Sequence, residues 1–589
     1  MANHGKGTRM GKLLESRRMV LLGVLGAALL ASAAARAAEP VVIASATAGN
    51  LKSFMEKLDR LADKLQPGAG PQVAAMAAEL MEGPLWAGAD WTKPSTIILF
   101  SGKGFGKLEP VPVVIVTLAD PARLRNAHPE GGPIACDIRG NLAILSPEKA
   151  AVAAITPERL GHYSKLPQFA AGADAYATFH IAETLKEYKN EIQTGVFLII
   201  ESVVQIFNQL RGGQGAELQA KPEIALGLNA IGDFVEKQYR RVSVAAKLGD
   251  DAIEISGRLY PCENTELAAS FAAQPAEATD LVKLLPADAV LGFGGKLDMG
   301  KLRPVVQAAI QEVAAAVNKQ TPGTIKPEDQ QKALDTLFPP ALGGEFAFAM
   351  AGDPAHQGQQ GIQVCKVADA AKFRTATKDG AEWFMTTAAG DALQKFGLKL
   401  AVNHQPGVRQ HQGVAVDRFT VGFEQVPNAP PNLLAMMVAQ APARVTEVAV
   451  VDDYGIAASN NPEGDLVNTV IDRIKGAAGP GLDTNPAYKA ARAAAPQGAS
   501  ILWYVSLNNF LAKMIEDAKK RQPGIEMMTQ GIIVADPNEA PITGYARFDE
   551  GQMSFGARVP LKPILDLAAR GRAAADKQKA RKPGKEDDF

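Results

Sequence analysis

Five groupings in this 589-residue chain have residue types and spacings capable of chemistry. Gly102-Lys103-Gly104-Phe105-Gly106-Lys107 has the glycine and lysine content of a phosphate cradle. Such a cradle needs a helix next, so that free N–H groups and the helix dipole converge on the anion. Here Pro110, Pro112 and a β-rich run follow, which predicts a hairpin tip instead. Ser146 and Lys149 have the spacing of a serine–lysine nucleophile pair, but Ser146-Pro147-Glu148 reads as the start of a helix. His180 and Glu183 sit one helical turn apart, as two metal ligands could. His404 and His411 are expected to lie across a hairpin and face each other over its turn, with no third ligand nearby. Asp452-Asp453 lacks the alternating oxygens of a calcium loop and predicts a tight turn. No Gly-x-Ser-x-Gly elbow occurs. The sequence therefore assigns no catalytic residue, no metal ligand and no cofactor, and leaves any ligand-binding residues unassigned.

The elements that would position these residues are arranged as a weak repeat. Ala119-Asp120-Pro121-Ala122-Arg123-Leu124-Arg125 returns as Ala368-Asp369-Ala370-Ala371-Lys372-Phe373-Arg374. Each copy follows a strand-like run, and Asp120 and Asp369 are placed to cap helices. Leu142–Ser146 matches Gly455–Ser459, and Gly172 through Leu185 matches Gly498 through Leu511 without a gap. Hairpins at 241–259 and 542–559 close the two copies. The expected class is α+β: a tandem duplication of a domain with an antiparallel sheet and helices packed on one face. The first domain spans 39–272 and the second 273–564, with an insertion at about 391–442 holding a hairpin and Pro427-Asn428-Ala429-Pro430-Pro431. A long apolar-rich helix is expected from Glu183 to Leu210 in the first copy alone. Residues 565–589 read as a charged tail, a frayed helix passing into disorder.

Residues 1–38 read as an export signal. Lys6, Arg9, Lys12, Arg17 and Arg18 precede the apolar run Met19–Ala35, and Ala35-Arg36-Ala37 supplies small residues for cleavage. Ser16-Arg17-Arg18-Met19-Val20-Leu21 resembles a twin-arginine signal with Val20 in its aromatic position; an ordinary secretory signal with a chance arginine pair is the other reading. No later stretch reaches the roughly 18 apolar residues of a membrane span, so a soluble periplasmic or secreted protein is expected. Removing residues 1–37, with six basic residues and one acidic, takes the formal charge from −1 to −6, which disfavours nucleic-acid binding. Cys136, Cys262 and Cys365 are too few and too scattered for a disulfide framework. A Cys136–Cys262 bridge and buried free thiols both remain open.

Leu285-Pro286-Ala287-Asp288, together with the two Ala-Asp-x-Ala-(Arg/Lys)-x-Arg segments, resembles a loosely defined group of exported bacterial proteins of unknown function, common in planctomycete-like bacteria. They carry a signal peptide and repeated α+β units with such an opening. The first copy here lacks the Leu-Pro-Ala-Asp start, and the group carries no activity to transfer. The function expected is a non-catalytic binding or scaffold protein of the cell envelope. Its partner would be an apolar or envelope ligand held between the two domains, or another protein. The alternative is a secreted hydrolase whose acid–base carboxylates no motif reveals.

Overall fold

The computed structural model describes residues 40–580, apart from 84–85, 130–131, 164–166, 211–221, 338–341, 351–359, 386–389, 391–392, 395–396, 428–437, 439–442, 460–464 and 522–530. The expected leader, the end of the tail and most of the Pro427–Pro431 stretch lie outside the described residues. The chain divides into two compact units. One holds the described residues up to Phe54 with Ala75–Gly195, the other Met55–Ala74 with Val196–Phe589.

In the first unit the strands are β1 (Val42–Ala48), β2 (Ser95–Phe100), β3 (Val111–Thr117), β4 (Ala135–Arg139), β5 (Leu142–Ser146) and β6 (Ala175–Phe179). They pair antiparallel in the order β4-β5-β3-β2-β1-β6. Alternation along β2 and β3 buries Ile98, Phe100, Val113 and Ile115 on one face, where Val152, Ile155 and Leu160 close over them. Each such side chain contributes about 1.5–3 kcal/mol. The other face is packed at its β3–β5 end by Leu124, Trp86 and Trp91.

The second unit has β7 (Tyr239–Leu248), β8 (Ala252–Pro261), β9 (Leu291–Lys296), β10 (Leu342–Met350), β11 (Gly361–Val367), β12 (Leu398–His411), β13 (Val414–Gln425), β14 (Arg444–Val451), β15 (Tyr454–Ser459), β16 (Ile501–Val505), β17 (Ile542–Asp549) and β18 (Gln552–Pro560). They run antiparallel in the order β7-β8-β18-β17-β16-β9-β10-β11-β15-β14-β13-β12. The class is α+β. On one face Leu502, Tyr504, Ile362, Val364 and Ile456 meet Val467, Val470 and Tyr488 from the Asp465–Ile474 and Pro486–Ala494 helices. On the other, Phe548 and Met553 are covered by Leu267, Phe271 and Val305. Further along that second face, Phe373 of the Ala370–Met385 helix lies over Gly455. Helices thus sit on both faces, where one face was expected. The reason is visible in β10, whose Phe-Ala-Phe-Ala run is apolar on both sides.

Local expectations fare unevenly. Asp120 caps its helix through the Ala122 and Arg123 N–H groups, and Asp369 accepts from the Lys372 N–H. The long helix expected from Glu183 is instead two, Ile181–Glu187 and Lys189–Leu210, broken at Tyr188. Tyr188 is buried there and its Oη accepts the Gly102 N–H at 3.1 Å, an anchorage that a straight helix would not give. Leu561–Ala580 is a helix, reaching further back than the frayed segment expected. Among the described residues no helix is long and apolar enough to cross a membrane.

Candidate functional site

The glycine-rich loop is occupied by the protein itself. Gly102–Phe105 forms a 3-10 turn closed by Gly106 at φ 69. Lys103 pairs with Glu191 at 2.9 Å and donates to the Glu187 carbonyl, while Ser101 Oγ donates to Glu187 Oε2 at 2.7 Å. Lys107 pairs with Glu148 at 2.7 Å. A phosphate entering this loop would meet carboxylates already satisfying its lysines. Ser146 is 1% exposed; its hydroxyl donates to the Pro112 carbonyl and accepts the Glu148 N–H, so it organises the turn ahead of the Lys149–Ala153 helix. Exposed Lys149 does not share that environment.

His180 begins the Ile181–Glu187 helix, its N–H bonded to the Ile43 carbonyl at 2.9 Å, with Glu183 in the first turn. His404 and His411 do not face each other over the turn. Both lie on β12, and the turn at Gln412-Gly413 is crossed by His411 pairing with Val414. His404 stacks on Phe419, centroids 4.3 Å apart, with Nε2 3.5 Å from Asp417 Oδ2. His411 bonds to Asp472 of the Asp465–Ile474 helix. Asp417 is buried, which pushes its pKa up, but the Gly407 N–H, Arg374 and His404 bring it below the usual value. Among the described residues no three His, Cys, Asp or Glu side chains gather as a metal site. Asp452, at φ 52, makes the tight turn expected of it, and Asp453 pairs with Lys366.

The three cysteines are free thiols. Burial pushes the Cys365 thiol up to about 12, the opposite of an activated nucleophile. Leu285-Pro286-Ala287-Asp288 is a structural opening. Asn485 Nδ2 donates to the Ala287 and Ala289 carbonyls, Tyr504 Oη donates to Ala289, and Arg473 holds the Leu284 and Leu285 carbonyls.

Among the described residues, two concavities stand out. One in the first unit, of about 690 Å³, is mixed in polarity and lined by Pro40, Ala154, Thr156, Glu158, Arg159, His162 and Tyr163. It holds a single carboxylate among these residues. The other, of about 490 Å³, lies wholly within the second unit on the face opposite Leu502 and Tyr504. Its floor and walls are Leu291, Phe293, Phe346, Phe348, Trp503 and Val505, all half-buried. Phe293 and Phe346 stack with centroids 5.3 Å apart. Gln363 contributes a polar side chain at the margin, and among the described residues no charged one lines it. The volume is in the range of small-molecule sites, and an uncharged apolar wall favours an apolar guest.

This concavity draws on four strands far apart in sequence, which is why motif reading missed it. A signal existed nonetheless: large and small apolar residues alternate along Gly292-Phe293-Gly294 and Phe346-Ala347-Phe348-Ala349. No protein family matches the chain, and no curated protein or solved structure is significantly similar to it.

Proposed function

We propose that the protein is an exported, non-catalytic binding protein of the cell envelope that carries an apolar ligand in the second unit. The observation that carries this reading is the aromatic concavity at Phe293, Phe346, Phe348 and Trp503, lined by no charged side chain among the described residues. The leader-like residues 1–38 support an extracytoplasmic location. The polar groups that tempted a chemical reading support the same view, because the protein uses them internally: Lys103 with Glu191, Ser146 with Pro112, His411 with Asp472.

Native mass spectrometry of the protein recovered from the envelope fraction of its own host is the test. A reproducible added mass, lost on denaturation and of apolar composition, is the expected result. A bare mass, or a polar adduct, would overturn the carrier reading and leave a scaffold role.

A further inference from the structure

The two units share more than strand order. In the first, Ala46 stands opposite Ile97 on one neighbour and Ala177 on the other; in the second, Phe293 stands opposite Phe348 and Trp503. Hydrogen bonds beyond the ladders recur at corresponding places. Leu118 N–H to Asn141 O is repeated by Val367 N–H to Asp453 O. Gly49 N–H to Asp174 O is repeated by Lys296 N–H to Ser500 O, and His180 N–H to Ile43 O by Ser506 N–H to Val290 O. Turn residues with positive φ correspond as well: Gly140 with Asp452, Gly172 with Gly498. Gly172 and Gly498 head the block that already matches in sequence, so ladder register and sequence agree there; at Leu142–Ser146 the ladder instead sets Leu142 at the place of Tyr454, one residue before the Gly455 of the sequence match.

We infer that the halves are copies of one fold, and that the second has gained a site for a flat, uncharged apolar molecule at Phe293, Phe348 and Trp503. The ligand class rests on the carrier reading above and narrows it. Residues that a fold needs are kept in both copies; these are not. Where the second unit has Phe293, Phe348 and Trp503, the first has Ala46, Ile97 and Ala177 and forms the same ladders.

Flatness of the guest follows from how the rings lie. Three of the four large rings rest on strand positions with no side chain: Phe346 over Gly295, Phe348 against Gly361, Trp503 over Gly544. A Cβ at Gly295 would come within 2.6 Å of the Phe346 ring, and one at Gly361 within 3.0 Å of Phe348. By the ladder registers the first copy has Ala48 at the place of Gly295 and Pro112 at the place of Gly361, so rings and glycines differ together there. Glycines therefore let the rings lie down on the sheet, and their π-faces form a floor suited to stacking. Among the described residues the lining offers a charged guest no counter-ion.

The test uses the full mature chain and the uncharged aromatic probe N-phenyl-1-naphthylamine, read by its fluorescence. One saturable site per chain is expected. The variant Phe293→Ala/Phe348→Ile/Trp503→Ala installs the residues of the first copy. It should lose affinity roughly tenfold or more, the scale of losing aromatic anchors, with its thermal midpoint nearly unchanged. Undiminished binding by this variant would overturn the site, and collapse of its fold would overturn the argument that the rings are dispensable to the scaffold. Phe179→Ala in the first unit, at the place of Val505, is the control and should leave binding intact; loss of binding there would also count against the site. If host-purified protein carries an acyl-chain lipid that the probe does not displace, the carrier reading survives and the flat-ligand inference fails.

Discussion

Arg409 on β12 and Glu447 on β14 form an ion pair of 2.7 Å in which the carboxylate is 1% exposed. Arg418 on β13 takes the other oxygen of the same carboxylate at 2.9 Å, and Asn468 of the overlying helix accepts from Arg409. Glu447 thus adds a side-chain tie to the β13–β14 ladder that joins the inserted hairpin to the sheet.

Glu447→Gln removes the charge and leaves two partly exposed guanidinium groups facing one another without their buried counter-ion. The expected loss is about 3–5 kcal/mol, as for removal of one partner of a buried pair. Urea unfolding measures it. Replacing Glu447, Arg409 and Arg418 together by Leu or Met should recover much of the loss, because the charges that need compensation go with it.

Asp417 should make the hairpin acid-sensitive. Its folded pKa lies below the unfolded value because the Gly407 N–H, Arg374 and His404 outweigh burial. The stability it contributes is present above about pH 4, near the ordinary aspartate value, and is lost as pH falls through the lower folded value. Thermal midpoints measured from pH 7 down to pH 2 should fall in that acid window. Asp417→Asn should lower the midpoint at pH 7 and flatten the acid limb.

Cys365 should resist alkylation in the folded protein. Its thiol is buried, pushed up to about 12, and bonded to the Gly455 carbonyl. A pulse of iodoacetamide at pH 8, read by peptide mass spectrometry, should label it only after unfolding. Labelling at native rates would mean that β11 opens locally.

Asn485 should matter far more than a surface asparagine. It caps the Pro486–Ala494 helix through the Ala487 and Tyr488 N–H groups and also satisfies the Ala287 and Ala289 carbonyls. Asn485→Ala should cost roughly 2–3 kcal/mol, a lost cap plus orphaned carbonyls. Denaturant midpoints compared with Thr484→Ala provide the scale.

Local signals in the sequence were faithful where one residue decides one feature. Asp120 and Asp369 cap helices because a carboxylate two or three residues ahead of free N–H groups has little else to do. The hairpins at 241–259 and 542–559 follow from alternation and turn residues. Features set by distant partners were opaque. The break at Tyr188 depends on Gly102, eighty-six residues earlier. The placement of His404 and His411 on one strand depends on where the turn falls, and it falls at Gln412-Gly413, just after His411. The concavity needs β9, β10, β11 and β16 side by side, and only the pairing of strands reveals which alternate residues share a face.

The pairing of β8 with β18 bears on how the chain can be made. Gly257 and Phe555 are partners, and the whole ladder from Ala252 to Leu259 waits for Pro560 to Met553. A ribosome delivers β8 some three hundred residues before its neighbour, so its edge stays open through most of synthesis. Chains that stop early, by nonsense mutation or clipping before Gln552, keep that edge bare and should be the sticky, chaperone-dependent species. Completion of the last strand is what retires the hazard.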